Sequence, residues 1–345
     1  MNYNNFSKSV LKWYNLNKRD LPWRYKGNTK KDPYKIWVSE IMLQQTTVTA
    51  VIPYFKKFIT LWPNIEKLSS ADINEILDFW SGLGYYRRAK NLHLTSRIIN
   101  KDYNNIFPKD KVQIKNLPGI GDYTSAAIRA IAFNENDTVV DSNIERIIAR
   151  VFQIQEPIVK AKKKIKEKAK KLTPNIKNGD YAQALMDIGS KVCLPKNPLC
   201  NSCPILKFCK AKKNSCENTI PIKVKKKIKP VREGSVYWII SSDNKVLLKR
   251  RLDQGILPGM LEFPSYGWST DANEEIDKKV LSIKDFKIKK GKVSHQFSHF
   301  NLLLTVYEKK EFNVNDINGM WVDKKDLNNL GLPTLMKKVL NHINT

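Results

Sequence analysis

From Leu11 to about residue 192, apolar side chains recur every three or four positions, as in Ile144, Ile147, Ile148 and Val151. That is the period of helices with one buried face. Short punctuation separates these segments: "LPWRYKGNTKKDP", "GLG", "LPGIG" and "DSN" carry the Gly, Pro, Asp or Asn that stop one helix and start another. Beyond residue 217 the texture changes. "NTIPIKVKKKIKP" (218–230) is basic and proline-flanked and reads as a linker. "GSVYWIISSDNKVLLKRR" then predicts two strands around a Ser-Asp-Asn turn, "NLLLTVYEKKEF" another strand, and "LPTLMKKVLNHI" a closing helix. The pattern predicts a multidomain chain: an all-α unit over 1–217, a linker over 218–231 and a smaller α+β domain over 232–345. No repeat of the solenoid kind is present.

At 345 residues, with 41% hydrophobic residues and eight tryptophans, the chain can form two or three domains and bury real cores. It has no run of about eighteen apolar residues, so no membrane span is expected. "MNYNNFSKSVLKWYNLNKRDLPW" lacks the apolar stretch and cleavage site of a signal peptide. The expectation is a cytoplasmic chain without a membrane partner. Lys and Arg number 61 against 33 Asp and Glu, a formal net charge of +28. Such an excess points to a polyanionic partner, nucleic acid ahead of an acidic membrane surface. The excess is mostly lysine, beside many Asn and Ile, a bias that an AT-rich genome also produces. A run such as "KAKKKIKEKAKK" (160–171) reads as a solvated helix face.

Chemistry concentrates at a few places. "CLPKNPLCNSCPILKFC" (193–209) holds four of the five cysteines, with Cys216 outside it. Four thiols this close allow two disulfides, a zinc site or an iron–sulfur site, and a reducing compartment favours a metal. In "YKIWVSEIMLQQTTV", Glu40 shares a helix face with Ile36, Trp37 and Leu43, while Val38, Ile41 and Met42 cover the other sides. That is the signature of a buried helix. A carboxyl so placed is either bonded to an arginine or backbone group, or has its pKa raised from about 4.3 towards neutrality, as a general acid requires. "TVVDSNIERIIARVF" puts Asp141 just ahead of an amphipathic helix. There it caps free N–H groups and, staying ionised, can also face a developing positive charge. "LPGIG" brackets a turn with Gly119 and Gly121 that can aim successive backbone N–H groups at a phosphate. The turn and its following helix look like a helix-hairpin-helix element.

Together with "RDLPWR", "WVSEIMLQQT", "GLGYYRRAKNL", "LPGIGDYT" and "VDSN", these motifs resemble the adenine DNA glycosylase (MutY) family of the helix-hairpin-helix superfamily. The resemblance spans the whole N-terminal unit. The C-x6-C-x2-C-x5-C spacing of Cys193, Cys200, Cys203 and Cys209 is that by which the superfamily binds a [4Fe–4S] cluster. It departs from zinc ribbons with paired CxxC knuckles. By motif position, the resemblance implies that Glu40 protonates N7 of a flipped-out adenine and that Asp141 stabilises the oxocarbenium-like sugar. It places Tyr123 and Asn143 around the sugar and the acid, Arg19, Leu21 and Trp23 in the wall of the base pocket, and Gln45 and Tyr85 inside the opened duplex. Position 123 separates two branches. Endonuclease III-like enzymes have a lysine there that forms a Schiff base, which a tyrosine phenol cannot.

Further along, "VSHQFSHFNLLLTVYE" and "LPGMLEFP" resemble the Nudix-like domain of the same family. Phe297, Ser298 and His299 match a segment that reads 8-oxoguanine; on periodicity alone, Phe297 and His299 are a core aromatic and a surface histidine of one strand. "SYGWSTDANEEIDKKV" supplies no REx2EE metal box, so nucleotide hydrolysis is not expected. Two departures stand out: the 25–31 segment is long, and Ser142 stands where glycine is usual. The resemblance implies a monomeric, monofunctional glycosylase that acts on double-stranded DNA and hydrolyses the N-glycosidic bond of adenine opposite 8-oxoguanine or guanine. The alternatives are an endonuclease III-like glycosylase/lyase for oxidised pyrimidines and a non-catalytic iron–sulfur DNA-binding protein.

Overall fold

A computed structural model describes residues 3–25, 29, 31–222, 224, 228–268, 278–313, 317 and 319–345. Most of the long 25–31 segment, part of the 218–231 linker and most of the stretch lacking a metal box therefore lie outside the described residues.

The first two-thirds of the chain form α1 (Tyr3–Asn17), α2 (Pro33–Leu43), α3 (Val48–Leu61), α4 (Ile65–Ser69), α5 (Ile73–Phe79), α6 (Arg87–Tyr103), α7 (Lys111–Asn116), α8 (Asp122–Phe133), α9 (Ser142–Phe152), α10 (Ile158–Leu172), α11 (Asn178–Lys191) and α12 (Lys210–Lys213). The polar punctuation starts these helices. Asp32, Thr47, Asp72, Asp110 and Asp141 cap α2, α3, α5, α7 and α9, each accepting a backbone N–H that has no partner within its helix. Ile36 of α2, Ala126, Ala127 and Ala130 of α8, Ile144, Ile147 and Ile148 of α9, and Ala184, Leu185 and Ile188 of α11 share one core. Two glycines let α11 approach its neighbours. A Cβ on Gly179 would lie 2.6 Å from the Ala130 carbonyl oxygen, and one on Gly189 would lie 2.5 Å from the Asn143 Cβ.

The remainder is a mixed domain: β1 (Val231–Ser241), β2 (Lys245–Arg250), β3 (Leu261–Glu262), β4 (Ser265–Tyr266), α13 (Lys278–Ser282), β5 (Lys287–Gln296), β6 (Asn301–Phe312), β7 (Met320–Asp323) and α14 (Thr334–Asn344). The strand order is β3-β2-β1-β6-β5, with β4 on β1 and β7 on β2; β1 and β6 are parallel and the other pairs antiparallel. Leu335, Met336 and Val339 of α14 pack on Trp238, Leu302, Leu304 and Val306, while Val280 of α13 packs with Ile239 and Leu247. The fold is thus helical first and α+β second, as the pattern predicted. The short β3, β4 and α13 escaped prediction, as did β5 and β7; "KIKKGKVSHQ" is too lysine-rich to announce a strand, and lysines suit an edge that must not pair with another chain.

Packing divides the molecule into two compact units: Met1–Ser69 with Leu94–Lys226, and Ser70–His93 with Lys227–Thr345. The second unit therefore takes α5, the "GLGYYRR" turn and the start of α6 from within the helical stretch. There Arg250 Nη2 lies 3.4 Å from Asp78 Oδ2, Ser81 donates to the Leu332 carbonyl, and Lys90 pairs with Asp253. Gly331 meets this segment so closely that a Cβ would fall 2.2 Å from the Asp78 Cα.

Candidate active site

Glu40 stands in the middle of α2 and is 6% exposed. Its Oε2 accepts the Tyr123 hydroxyl, from α8, at 2.7 Å. Burial pushes the Glu40 carboxyl up to about 7; the Tyr123 hydrogen bond opposes the rise, the Asp141 charge adds to it and the Arg24 charge opposes it. A carboxyl at that value keeps its proton in a large share of molecules at neutral pH. Burial and the neighbouring Glu40 and Asp141 raise the Tyr123 phenol well above its ordinary value, so it remains a donor.

Asp141 is the N-cap of α9. Its Oδ1 accepts the Ile144 N–H at 2.7 Å and its Oδ2 accepts the Asn143 amide at 2.9 Å. Burial raises this carboxyl, while the Ile144 and Asn143 donors and the Arg146 charge pull it down by favouring the anion. Arg146 continues the chain of contacts, donating to Asn143 Oδ1 at 2.9 Å, to the Gly189 carbonyl at 2.6 Å and to the Cys193 carbonyl at 2.8 Å. Hydrogen bonds thus run from Asp141 through Asn143 and Arg146 to the first cysteine of the cluster. Ser142 is exposed as the first residue of α9.

Beside Glu40 lies a recess of about 40 Å³, lined by Arg19, Leu21, Trp23, Arg24, Ser39, Leu43, Gln183 and Met186 among others. Fully buried Asp187 organises this wall. It holds Arg24 through two bonds, of 2.6 and 2.9 Å, and accepts from Arg19 through both Nε and the backbone N–H. Trp23 packs edge-on against Phe55 at 5.3 Å. Arg24, Asp187 and Arg146 were missed from the sequence. Asp187 carries the signal that marked Glu40, a lone acid in an apolar helical run ("YAQALMDIG").

Gln45, in the first unit, and Tyr85, in the second, both take left-handed backbone conformations, with φ of 58° and 50°, and expose their side chains. The Arg88 guanidinium lies 5.6 Å from the Tyr85 ring centroid and 5.5 Å from that of Trp80. Of the two hairpin glycines, only Gly119 is left-handed, at φ 77°. Gly121 is the N-cap of α8 in an extended conformation, and a Cβ there would meet nothing within 4 Å, so the turn's backbone stands open. In the second unit, Phe297, Ser298 and His299 occupy the turn between β5 and β6, closed by the Phe297 N–H on the Phe300 carbonyl at 2.9 Å, and not a continuous strand. The Phe297 ring stacks on Trp268 and on Phe300, at 5.9 and 4.7 Å. Ser298 and His299 are exposed, with Ser298 Oγ 3.2 Å from His299 Nδ1.

Cys193, Cys200, Cys203 and Cys209 line one cavity of about 20 Å³ in the first unit, which Cys216 does not line. Burial pushes the Cys203 thiol up to about 12 and raises Cys200 and Cys209. Arg150, 2% exposed, places Nη1 3.2 Å from Cys193 Sγ and 2.7 Å from the Leu194 carbonyl oxygen. Among the described residues, no three or more His, Cys, Asp or Glu side chains converge closely enough to hold a single metal ion, and no helix is long and apolar enough to cross a membrane.

Residues 38–175 match the HhH-GPD superfamily base excision DNA repair protein family, and residues 235–342 match the NUDIX domain. The adenine DNA glycosylase of Buchnera aphidicola subsp. Schizaphis graminum is 35% identical over 345 residues, 97% of each chain. That of Homo sapiens is 30% identical over 400 residues, 97% of this chain and 73% of the other. Among solved structures, a thermostable thymine-DNA glycosylase is similar at a TM-score of 0.55 and 31% identity, covering 61% of this chain and 97% of its own. A non-covalent endonuclease III–DNA complex, at 0.51 and 18% over 61% and 94%, is alike in fold. With a base excision DNA glycosylase fold and adenine DNA glycosylases 30–35% identical aligned over 97% of its length, the chain belongs to the adenine DNA glycosylase family.

Proposed function

We propose that this glycosylase acts as a monomer on double-stranded DNA, hydrolysing the N-glycosidic bond of adenine that stands opposite 8-oxoguanine or guanine. The observation that carries this reading is the pair of carboxyls in one site: Glu40, held near pKa 7 by burial, and Asp141, supplied with donors that favour its anion. A flipped adenine enters the recess walled by Arg19, Leu21 and Trp23. Glu40 gives its proton to N7, the C1′–N9 electron pair passes to the base, and neutral adenine departs. Asp141 faces the positive charge left on the sugar. Water then adds at C1′ and gives its proton to the Glu40 carboxylate, which restores the acid. Tyr123 fixes Glu40 Oε2, and Asn143 fixes Asp141. The phenol at position 123 offers no amine for an imine, so the strand is left uncut.

Gln45 and Tyr85, exposed on strained turns, fill the gap left by the flipped base. The Gly119–Gly121 turn receives a phosphate on its backbone N–H groups. The exposed Ser298 and His299, on the aromatic base of Phe297, read the base opposite. Cys193, Cys200, Cys203 and Cys209 would hold a [4Fe–4S] cluster, which suits four thiols lining one cavity with the Arg150 guanidinium against Cys193. When bound, the cluster cross-links the 193–209 loop.

The test is a duplex with adenine opposite 8-oxoguanine, incubated with the chain and then treated with alkali. Scission at that adenine, and none for adenine opposite thymine, is expected, together with iron and sulfide in near-equal amounts in the purified chain. Efficient borohydride trapping of a protein–DNA adduct would favour the lyase alternative instead.

A further inference from the structure

Packing alone does not account for the lysines of α10. Its buried face consists of Ala161, Ile165, Ala169 and Leu172. Beside that face and winding outward from it, Lys162, Lys166 and Lys170 recur every four residues, a stripe about 12 Å long at 1.5 Å rise per residue. Two contacts fix the direction in which the stripe looks. Lys166 Nζ lies 3.2 Å from Oδ2 of Asp122, the residue that follows Gly121, and Lys115 closes on the other carboxylate oxygen at 2.7 Å. Lys162 sits near enough to Glu145, in the first turn of α9, for its charge to oppose the burial that raises that carboxyl; Glu145 in turn feels Asp141. Lys162 therefore lies beside the first turn of α9 and Lys166 beside the hairpin turn, with Lys170 one helical turn further along.

Asp122 and Glu145 are the acids that face the stripe. Asp122 stays ionised, held down to about 2 by the two lysines that pair with it, and their two positive charges outweigh its one negative charge at the turn. Neither Lys162 nor Lys170 makes a salt bridge among the described residues. A row of cations beside a phosphate-binding turn is complementary to the next phosphates of the same duplex.

We propose that Lys162, Lys166 and Lys170 form a second phosphate track that grips duplex DNA flanking the Gly119–Gly121 turn. This rests on the glycosylase reading above and adds to it a footprint carried by α10. The solvated-face reading of "KAKKKIKEKAKK" instead gives every lysine of the helix equal weight. Lys160, Lys164 and Lys171 lie along the opposite edge of the buried face, where Lys164 pairs with Glu156, and provide the internal control.

The experiment compares K162Q/K166Q/K170Q with K160Q/K164Q/K171Q, each removing three charges from exposed positions of the full chain. Affinity for an undamaged 30-base-pair duplex is measured across a salt series. The stripe variant should flatten the slope of log affinity against log salt by about 2 to 3, at roughly 0.9 per lost phosphate contact. The opposite-edge variant should flatten it by less than about 1, with excision at saturating DNA as in the parent. Equal flattening by the two variants, or none by the stripe variant, overturns the proposal. A parent chain that binds duplex without excising adenine overturns the glycosylase reading and leaves the slope comparison readable.

Discussion

Glu40 and Asp141 bring the same functional group into one site from opposite kinds of helix position. In mid-helix the backbone N–H groups are already spent, so Glu40 finds its donor in a side chain, Tyr123, and burial drives it towards the neutral acid. At the N-cap of α9 the backbone offers unpaired N–H groups, and Asp141 takes one along with the Asn143 amide. Both carboxyls are raised by burial, but only Asp141 has several donors working against it. Place on the helix, more than residue type, separates a carboxyl pushed towards its neutral form from one supplied with donors that favour its anion.

The largest effect expected is that of Glu40→Gln, which keeps shape and removes the proton. Single-turnover excision should fall by about 10²–10⁴-fold, with duplex affinity near that of the parent. A retained rate would dissolve the contrast at its acidic end. Asp141→Asn tests the other end, because Asn caps a helix about as well as Asp. Excision should fall by about 10²–10³-fold while the thermal midpoint barely moves. A parallel loss of stability would reduce Asp141 to a cap.

The third test is pH. Excision should decline above about pH 7, roughly tenfold per unit, as Glu40 ionises. Stability carries the same signature. Glu40 goes from 4.5 in the unfolded chain to about 7 when folded, so the folded state loses stability as pH rises between those values. The cost is absent below the first, complete above the second, and of order 3 kcal/mol. Glu40→Gln should accordingly gain thermal stability relative to the parent at pH 8 compared with pH 5. The smallest effect is that of Tyr123→Phe, which removes a contact that lowers the Glu40 value. The alkaline limb should move upward in pH, with the rate at pH 7 changing by less than about tenfold. A limb that stays in place would show that the phenol does not set the acid.

Much of this was legible in residue order, and what was not has a common cause. The buried helix around Glu40 announced itself because every neighbour is apolar, and the capping position of Asp141 because a polar turn precedes a strong helical period. Asp187 gave the same sign as Glu40, yet its two arginine partners come from a segment more than 160 residues earlier, which no period reveals. Arg146 is one residue of an amphipathic helix until the Cys193 carbonyl arrives from another part of the chain. At Phe297 to His299, alternation suggested a strand where backbone closure makes a turn, because two strands of similar pattern flank it. Residues 70–93 look helical like their neighbours; what assigns them to the second unit is contact with Arg250, Leu332 and Gly331, a relation between distant segments.

That last grouping bears on how the enzyme can be dissected. A fragment cut before the sheet would keep Tyr85 in its sequence but strip Asp78 of its cation and Ser81 of its acceptor, baring a surface that the intact chain covers. Weak activity in such a fragment would report a disordered turn as much as the loss of the sheet itself. By the same logic, a bulky residue at Gly331, remote from Tyr85 along the chain, would be felt first by the loop that carries it.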